Sequence, residues 1–160
     1  MGERNSGQED TAMPQSYVNL IYHIVFSTKD RTPLITGDCQ TRLHEYLGGI
    51  IREQGGIPLA INGTQDHVHL LVKLRQDQAL SEMIREFKAS ASGWIHRNFH
   101  GLRSFAWQNG YGAFTVSTSQ IEIVQRYIAN QKIHHQTQSF KDEYIELLRL
   151  HRVEFDEKFL

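Results

Sequence analysis

Cysteine is nearly absent: Cys39 is the single one in 160 residues. That excludes an internal disulfide and any zinc site built from several thiolates. Long apolar runs are missing too, the longest falling well short of the ~20 residues that a bilayer crossing needs. Residues 1–15 (MGERNSGQEDTAMPQ) lack the apolar core of a secretory signal. The expectation is a cytoplasmic protein with no membrane partner. Neither sign of charge dominates, the net charge being -1, so the chain lacks the overall basic surplus that marks many nucleic-acid binders. The acids gather at the ends, however, and residues 14–139 carry 12 Lys+Arg against 9 Asp+Glu. This central part permits a polyanionic partner, and bound metal ions would add positive charge that the side chains do not supply.

What is present fits one globular domain. The hydrophobic fraction is 39% and the charged fraction 22%, ordinary for a chain able to bury a real core. No internal repeat or low-complexity tract stands out. Residues 1–15 read as a polar, disordered tail, and residues 16–160 as one domain. The β-branched and aromatic run YVNLIYHIVF (17–26) predicts a central strand, followed by a loop broken by Pro33 and Gly37. Leu43, Tyr46, Leu47, Ile50 and Ile51 recur at helical spacing within 38–54, closed by Gly55 and Gly56. Strands are expected at 58–63 and 67–74, joined by a tight turn. A second helix is expected over 78–99 and a fourth strand over 113–117.

The predicted order is β-α-β-β-α-β, a ferredoxin-like α+β fold in which a four-stranded antiparallel sheet carries two helices on one face. Two further helices extend it. Ser119-x-x-Glu122 has the form of a capping box opening a helix that runs to about His134. Ser139 is expected to cap a last helix, amphipathic through Tyr144, Ile145, Leu147 and Leu148.

The stretch QDHVHLLV (65–72) carries the first chemical signal. Side chains two apart on a strand share a face, so His67 and His69 project together, on the side of the sheet expected to be open. Paired imidazoles suit a divalent ion because little side-chain entropy is lost on binding. They also suit packed or solvent-facing histidines on a half-exposed strand. His23, alternating with Ile24 and Phe26, reads as structural. A second signal is QRYIANQKIHH (125–135), where Tyr127 and Gln131 stand one helical turn apart at the margin of an apolar face of Ile121, Val124 and Ile128. A tyrosine there is suited to packing. Beside a metal site, its phenol oxygen can attack phosphorus and divide one difficult displacement into two easier ones.

These features together resemble the single-tyrosine HUH transposases of the insertion sequence 200/605 type, which include the REP-associated tyrosine transposases. The likeness extends over YHIVFSTKDRTPLI (22–35), FKASASGWIH (87–96), WQNGYGAFTVS (107–117) and YIANQKIHHQTQSFKDEYIELL (127–148), in order. The resemblance implies enzymes that cut and rejoin single-stranded DNA at hairpin-marked element ends. Tyrosine becomes joined to a 5′-phosphate and a 3′-OH is released. It implies His67, His69 and Gln131 as ligands of Mg²⁺ or Mn²⁺ (imidazole alone would also suit zinc), Tyr127 as the nucleophile, and a homodimer formed by pairing sheet edges. His134 and His135 are alternatives to Gln131 as the third ligand, and Asp66 is placed either to orient an imidazole or to cap the turn.

For DNA contacts the expectation rests on Lys29, Arg31, Arg52, Arg85 and Lys88 as phosphate partners, with Ser90 and Ser92 as neutral donors. Trp107 and Tyr111 are expected to stack on an unpaired base or, equally, to pack over the sheet end. Two competing readings use the same fold. One is an RNA-binding-type module that stacks bases on sheet aromatics; the other is a domesticated relative without transposition.

Overall fold

A computed structural model describes residues 15–160; the tail expected at 1–15 lies outside them except for Gln15. The described elements are β1 (Leu20–Ser27), α1 (Gly37–Glu53), β2 (Ile57–Gly63), β3 (His67–Leu74), α2 (Leu80–Asn98), β4 (Gly112–Thr115), α3 (Ile121–Ala129), α4 (Gln131–His134) and α5 (Phe140–Leu150). The sheet has four strands in the order β2-β3-β1-β4, and every neighbouring pair is antiparallel. This is the expected βαββαβ arrangement, and most element ends fall within one or two residues of expectation. The first strand and the helix expected over 119–134 are the exceptions. The strand begins at Leu20 rather than Tyr17, and Tyr17 and Val18 are exposed and unpaired.

Alternation along the central strands divides the core in two. Ile24 and Phe26 of β1, with Val68, Leu70, Val72 and Leu74 of β3, point toward α1 and α2 and join the largest apolar cluster. The intervening residues point the other way. Val25 and Phe114 pack against Phe140, Tyr144, Leu147 and Leu148 of α5, while Ile21 and Leu71 pack with Ile128 of α3. The histidine face is therefore closed rather than open: the C-terminal helices fold back over it, and His67 and His69 have no solvent exposure.

Two local features set up that face. A Cβ on Gly63 would fall 2.1 Å from the His67 carbonyl oxygen, so only glycine lets the β2–β3 turn deliver His67 at the start of its strand. The helix expected to run unbroken from Ser119 to His134 is interrupted instead. Thr118–Gln120 forms a 3₁₀ turn, Ser119 Oγ pairs with Ser117 Oγ at 3.1 Å, and α3 starts at Ile121 with no side-chain cap. The capping box is not formed. At Asn130 (ψ 16°) the helix breaks before resuming as α4. Asn62 on β2 holds the carbonyls there, its Nδ2 donating to Ile128 O at 2.9 Å and Ala129 O at 3.3 Å. Ser139 does cap α5, accepting from the Asp142 N–H at 3.2 Å.

Candidate active site

The residues expected to act together do meet. His67 and His69 come from β3, Tyr127 from α3, and Gln131 from the first position of α4. Gln131 Oε1 lies 3.0 Å from His67 Nε2. Asp66 Oδ1 lies 2.7 Å from His67 Nδ1 and accepts from Thr64 Oγ1 at 3.0 Å, so it both orients the imidazole and ties the turn. Burial raises the Asp66 pKa, but the hydrogen bond and charge of His67, with the Thr64 hydroxyl, together outweigh it and hold the carboxyl below its usual value. His69 Nδ1 lies 2.8 Å from His23 Nε2, which gives His23 a part that its reading as a structural residue misses. Burial, reinforced by the neighbouring imidazole, lowers the His23 pKa to about 3. Burial lowers His69 to about 4 in spite of the carboxylate beside it.

That carboxylate is Glu143, which sequence reasoning overlooked. It is fully buried at the centre of the cluster. Its Oε1 lies 2.9 Å from His69 Nε2, 3.0 Å from His135 Nε2 and 3.4 Å from His67 Nε2. Its Oε2 accepts from the Tyr127 hydroxyl, and from Gln131 Nε2 at 3.0 Å. Burial alone would raise its pKa, but hydrogen bonds from His135 and His69, the imidazole charge and the Tyr127 hydroxyl hold it far below the usual range. Burial, then the Glu143 hydrogen bond and charge, raise the Tyr127 pKa, so the resting phenol is neutral. A signal for Glu143 was present: on the stripe Phe140, Tyr144, Leu147, Leu148 it occupies a core position with an acid.

The donor set fits a divalent cation. Ligand atoms of His67, His69, His135 and Glu143 all lie within 4.8 Å of one another. When His67 Nδ1–H donates to Asp66 Oδ1, the Nε2 lone pair faces Gln131 Oε1 and Glu143 Oε1. Three buried acceptors turned toward one point repel unless a positive centre lies between them. Mixed imidazole, amide and carboxylate donors suit a borderline or hard ion. His134 stays at the edge, its Nε2 3.5 Å from Glu143 Oε2.

The expected DNA-contact residues are not gathered here. Arg31 lines a hollow of about 560 Å³ that opens beside Asp66 and His135, with Lys132 and Lys141 also on its wall. Lys29 is exposed on the preceding turn. Arg52 borders a separate hollow with His44 and Pro58. Arg85, Lys88, Ser92, Trp107 and Tyr111 surround a hollow of about 520 Å³ on the α2 side of the sheet; Ser90 is half-buried on α2. Two of these have structural tasks. Lys88 Nζ donates to Gln108 O at 2.7 Å and Gly110 O at 2.8 Å. Trp107 is buried edge-on against Phe26 and Phe105, its indole N–H donating to Lys88 O at 3.1 Å, which favours packing over base stacking. A further hollow of about 500 Å³ borders Tyr127 and His23 between β4, α3 and α5. Among the described residues, no helix is long and apolar enough to cross a membrane.

Known proteins resemble this chain in sequence and in fold. The ISDra2 transposase TnpA of Deinococcus radiodurans is 25% identical over 117 residues, covering 70% of this chain and 84% of that protein. A crystal structure described as a candidate transposase from Deinococcus radiodurans R1 superposes with a TM-score of 0.62 at 25% identity, covering 74% of this chain and 96% of that one. A REP-associated tyrosine transposase bound to a REP hairpin shares the fold, with a TM-score of 0.56 at 19% identity over 77% of this chain and 73% of its own. The family model for IS200-like transposases matches residues 16–131, from the start of the described domain through Gln131. The chain belongs to the IS200-like transposase family.

Proposed function

We propose that this transposase cleaves and rejoins single-stranded DNA through a covalent 5′-phosphotyrosine on Tyr127, at element ends marked by hairpins, with a divalent cation held by His67, His69 and Gln131. The observation that carries the reading is the Tyr127 hydroxyl, which belongs to the same buried hydrogen-bonded cluster as those three residues. A nucleophile and a cation site that meet out of bulk water form the pairing needed for phosphoryl transfer. Mg²⁺ or Mn²⁺ is the ion the reaction calls for; when bound, it polarises the scissile phosphate and steadies the departing 3′-oxygen.

The chain's own groups do the rest. Asp66 and His23 fix the two imidazoles from behind, as orienting partners do in metal centres. The DNA approaches over the hollow walled by Arg31, Lys132 and Lys141, where cations meet the backbone. In this reading Arg85 and Tyr111, which line one hollow on the far side of the sheet, hold the hairpin. A homodimer formed through sheet edges remains part of the reading, with β4 as its edge, since α3 covers β2 through Gln125 Nε2 to Leu59 O at 3.1 Å.

A module that stacks bases on its sheet is disfavoured, because the β1 and β3 side chains that would do so are buried under α3 and α5. A domesticated relative would keep this chemistry and differ in the DNA it meets. The test is incubation with Mg²⁺ and a hairpin-bearing single strand, which should give a covalent adduct. Tyr127→Phe should abolish it; an undiminished adduct in that variant would sink the nucleophile assignment. Fully paired duplex should not react, since its phosphates cannot enter a recessed site.

A further inference from the structure

We propose that Glu143 is a catalytic residue whose two carboxylate oxygens have different tasks: Oε1 ligates the divalent cation beside His67 and His69, and Oε2 accepts the proton of the Tyr127 hydroxyl. The inference rests on the proposed tyrosine reaction and names the acid that the reaction needs. Glu143 sits on α5, beyond the residues that the family model matches.

The division is visible in the hydrogen bonds. Oε1 faces only imidazole nitrogens, those of His69 at 2.9 Å, His135 at 3.0 Å and His67 at 3.4 Å. Oε2 faces the nucleophile hydroxyl and the Gln131 amide, with His134 Nε2 farther off at 3.5 Å. A carboxylate in this position is a poor structural device. Among the described residues its ionic partners are imidazoles, with no Lys or Arg. An apolar residue would continue the stripe of Phe140, Tyr144 and Leu147 at no desolvation cost. A buried anion that touches both the cation ligands and the attacking oxygen is where a phosphoryl transferase needs one.

The step balances. As the Tyr127 oxygen bonds to phosphorus, its proton passes to Glu143 Oε2. The bond from phosphorus to the 3′-oxygen breaks, and that oxygen leaves with the electron pair and takes a proton from solvent. When a 3′-OH attacks the phosphotyrosine in the joining step, the hydroxyl proton passes to solvent as the new bond to phosphorus forms, the bond from phosphorus to the Tyr127 oxygen breaks, and Glu143 returns its proton to the departing phenolate. The Glu143 carboxylate is thus regenerated in each cycle, with solvent exchanging the protons of the 3′-oxygens.

The experiment compares full-length wild type, Glu143→Gln, Glu143→Asp and Tyr127→Phe. It follows Mn²⁺ affinity by calorimetry, the rate of adduct formation on a hairpin-bearing strand, and folding by circular dichroism. Glu143→Gln should weaken Mn²⁺ binding about tenfold or more and slow adduct formation about 100-fold or more, the range for loss of a proton acceptor. Glu143→Asp, which keeps the charge, should recover part of both. A folded Glu143→Gln that binds Mn²⁺ and forms adduct like wild type overturns the proposal. If Glu143→Gln does not fold, infrared difference spectra of a folded Asp66→Asn protein decide. Mn²⁺ should shift a carboxylate stretching band, and no shift overturns the ligand assignment. Tyr127→Phe separates the two claims. It should keep Mn²⁺ affinity and lose the adduct, whereas an adduct that survives there contradicts the tyrosine reaction itself rather than the role of Glu143.

Discussion

Toward α1 and α2, the central strands present Ile24, Phe26, Val68, Leu70 and Val72; toward α3 and α5, the residues between them are His23, Val25, His67, His69 and Leu71. The same two strands therefore build a continuous apolar layer on one side and a polar centre between two smaller apolar clusters on the other. Burying Glu143, Gln131 and three imidazoles opposes folding unless each is paired. A single uninterrupted core across the sheet lets the fold tolerate that arrangement. Stability and chemistry are divided between faces, so substitutions on each should read out differently.

The comparison can be broken most severely at its reactive end. His67→Ala should remove cleavage while hairpin binding, measured by gel shift, stays within a few-fold; lost binding would make His67 a structural residue. Leu70→Ala, on the opposite face, should lower unfolding free energy by about 2–5 kcal/mol. Folded Leu70→Ala protein should still form adduct at nearly the wild-type rate, and a selective loss of activity would join the two faces functionally. Asp66→Asn keeps the turn but weakens the hold on His67, and should reduce Mn²⁺ affinity about 10–100-fold by calorimetry. Paired Lys132→Ala and Lys141→Ala should have the smallest effect. Binding of single strands should weaken, and the dependence of log K on log salt should fall by about 1.4. An unchanged salt slope would remove that hollow as the path of the strand.

Much of this was legible in the sequence because it depends on local periodicity. Alternation in YHIVF and HVHLLV defines strands, and Leu43, Leu47, Ile50 and Ile51 define a helix, whatever surrounds them. His67, His69, Tyr127 and Gln131 announced themselves as residue types in a recognisable order. What escaped depends on distant partners. The break at Asn130 follows from Asn62 on β2. The unused capping box follows from a 3₁₀ turn that shifts the helix start past Ser119. Trp107 looks like an exposed aromatic between Ala106 and Gln108 until Lys88 folds the loop inward. Glu143 was concealed by an expectation: acids on amphipathic helices usually face water, and only its place on the buried stripe argued otherwise.

The central claim is that Tyr127 becomes joined to DNA. Mixing a His67→Ala protein with a Tyr127→Phe protein decides whether Tyr127 serves its own chain's histidines or its partner's, because action in trans leaves one composite site complete and restores cleavage, whereas action in cis restores none. Most direct is to react wild-type protein with a hairpin-bearing strand in Mg²⁺, digest the adduct, and locate the modified peptide by mass spectrometry. The account predicts a nucleotide 5′-phosphate on Tyr127 alone. A phosphonucleotide on any other residue, or cleavage of the strand with no covalent protein product, would contradict it.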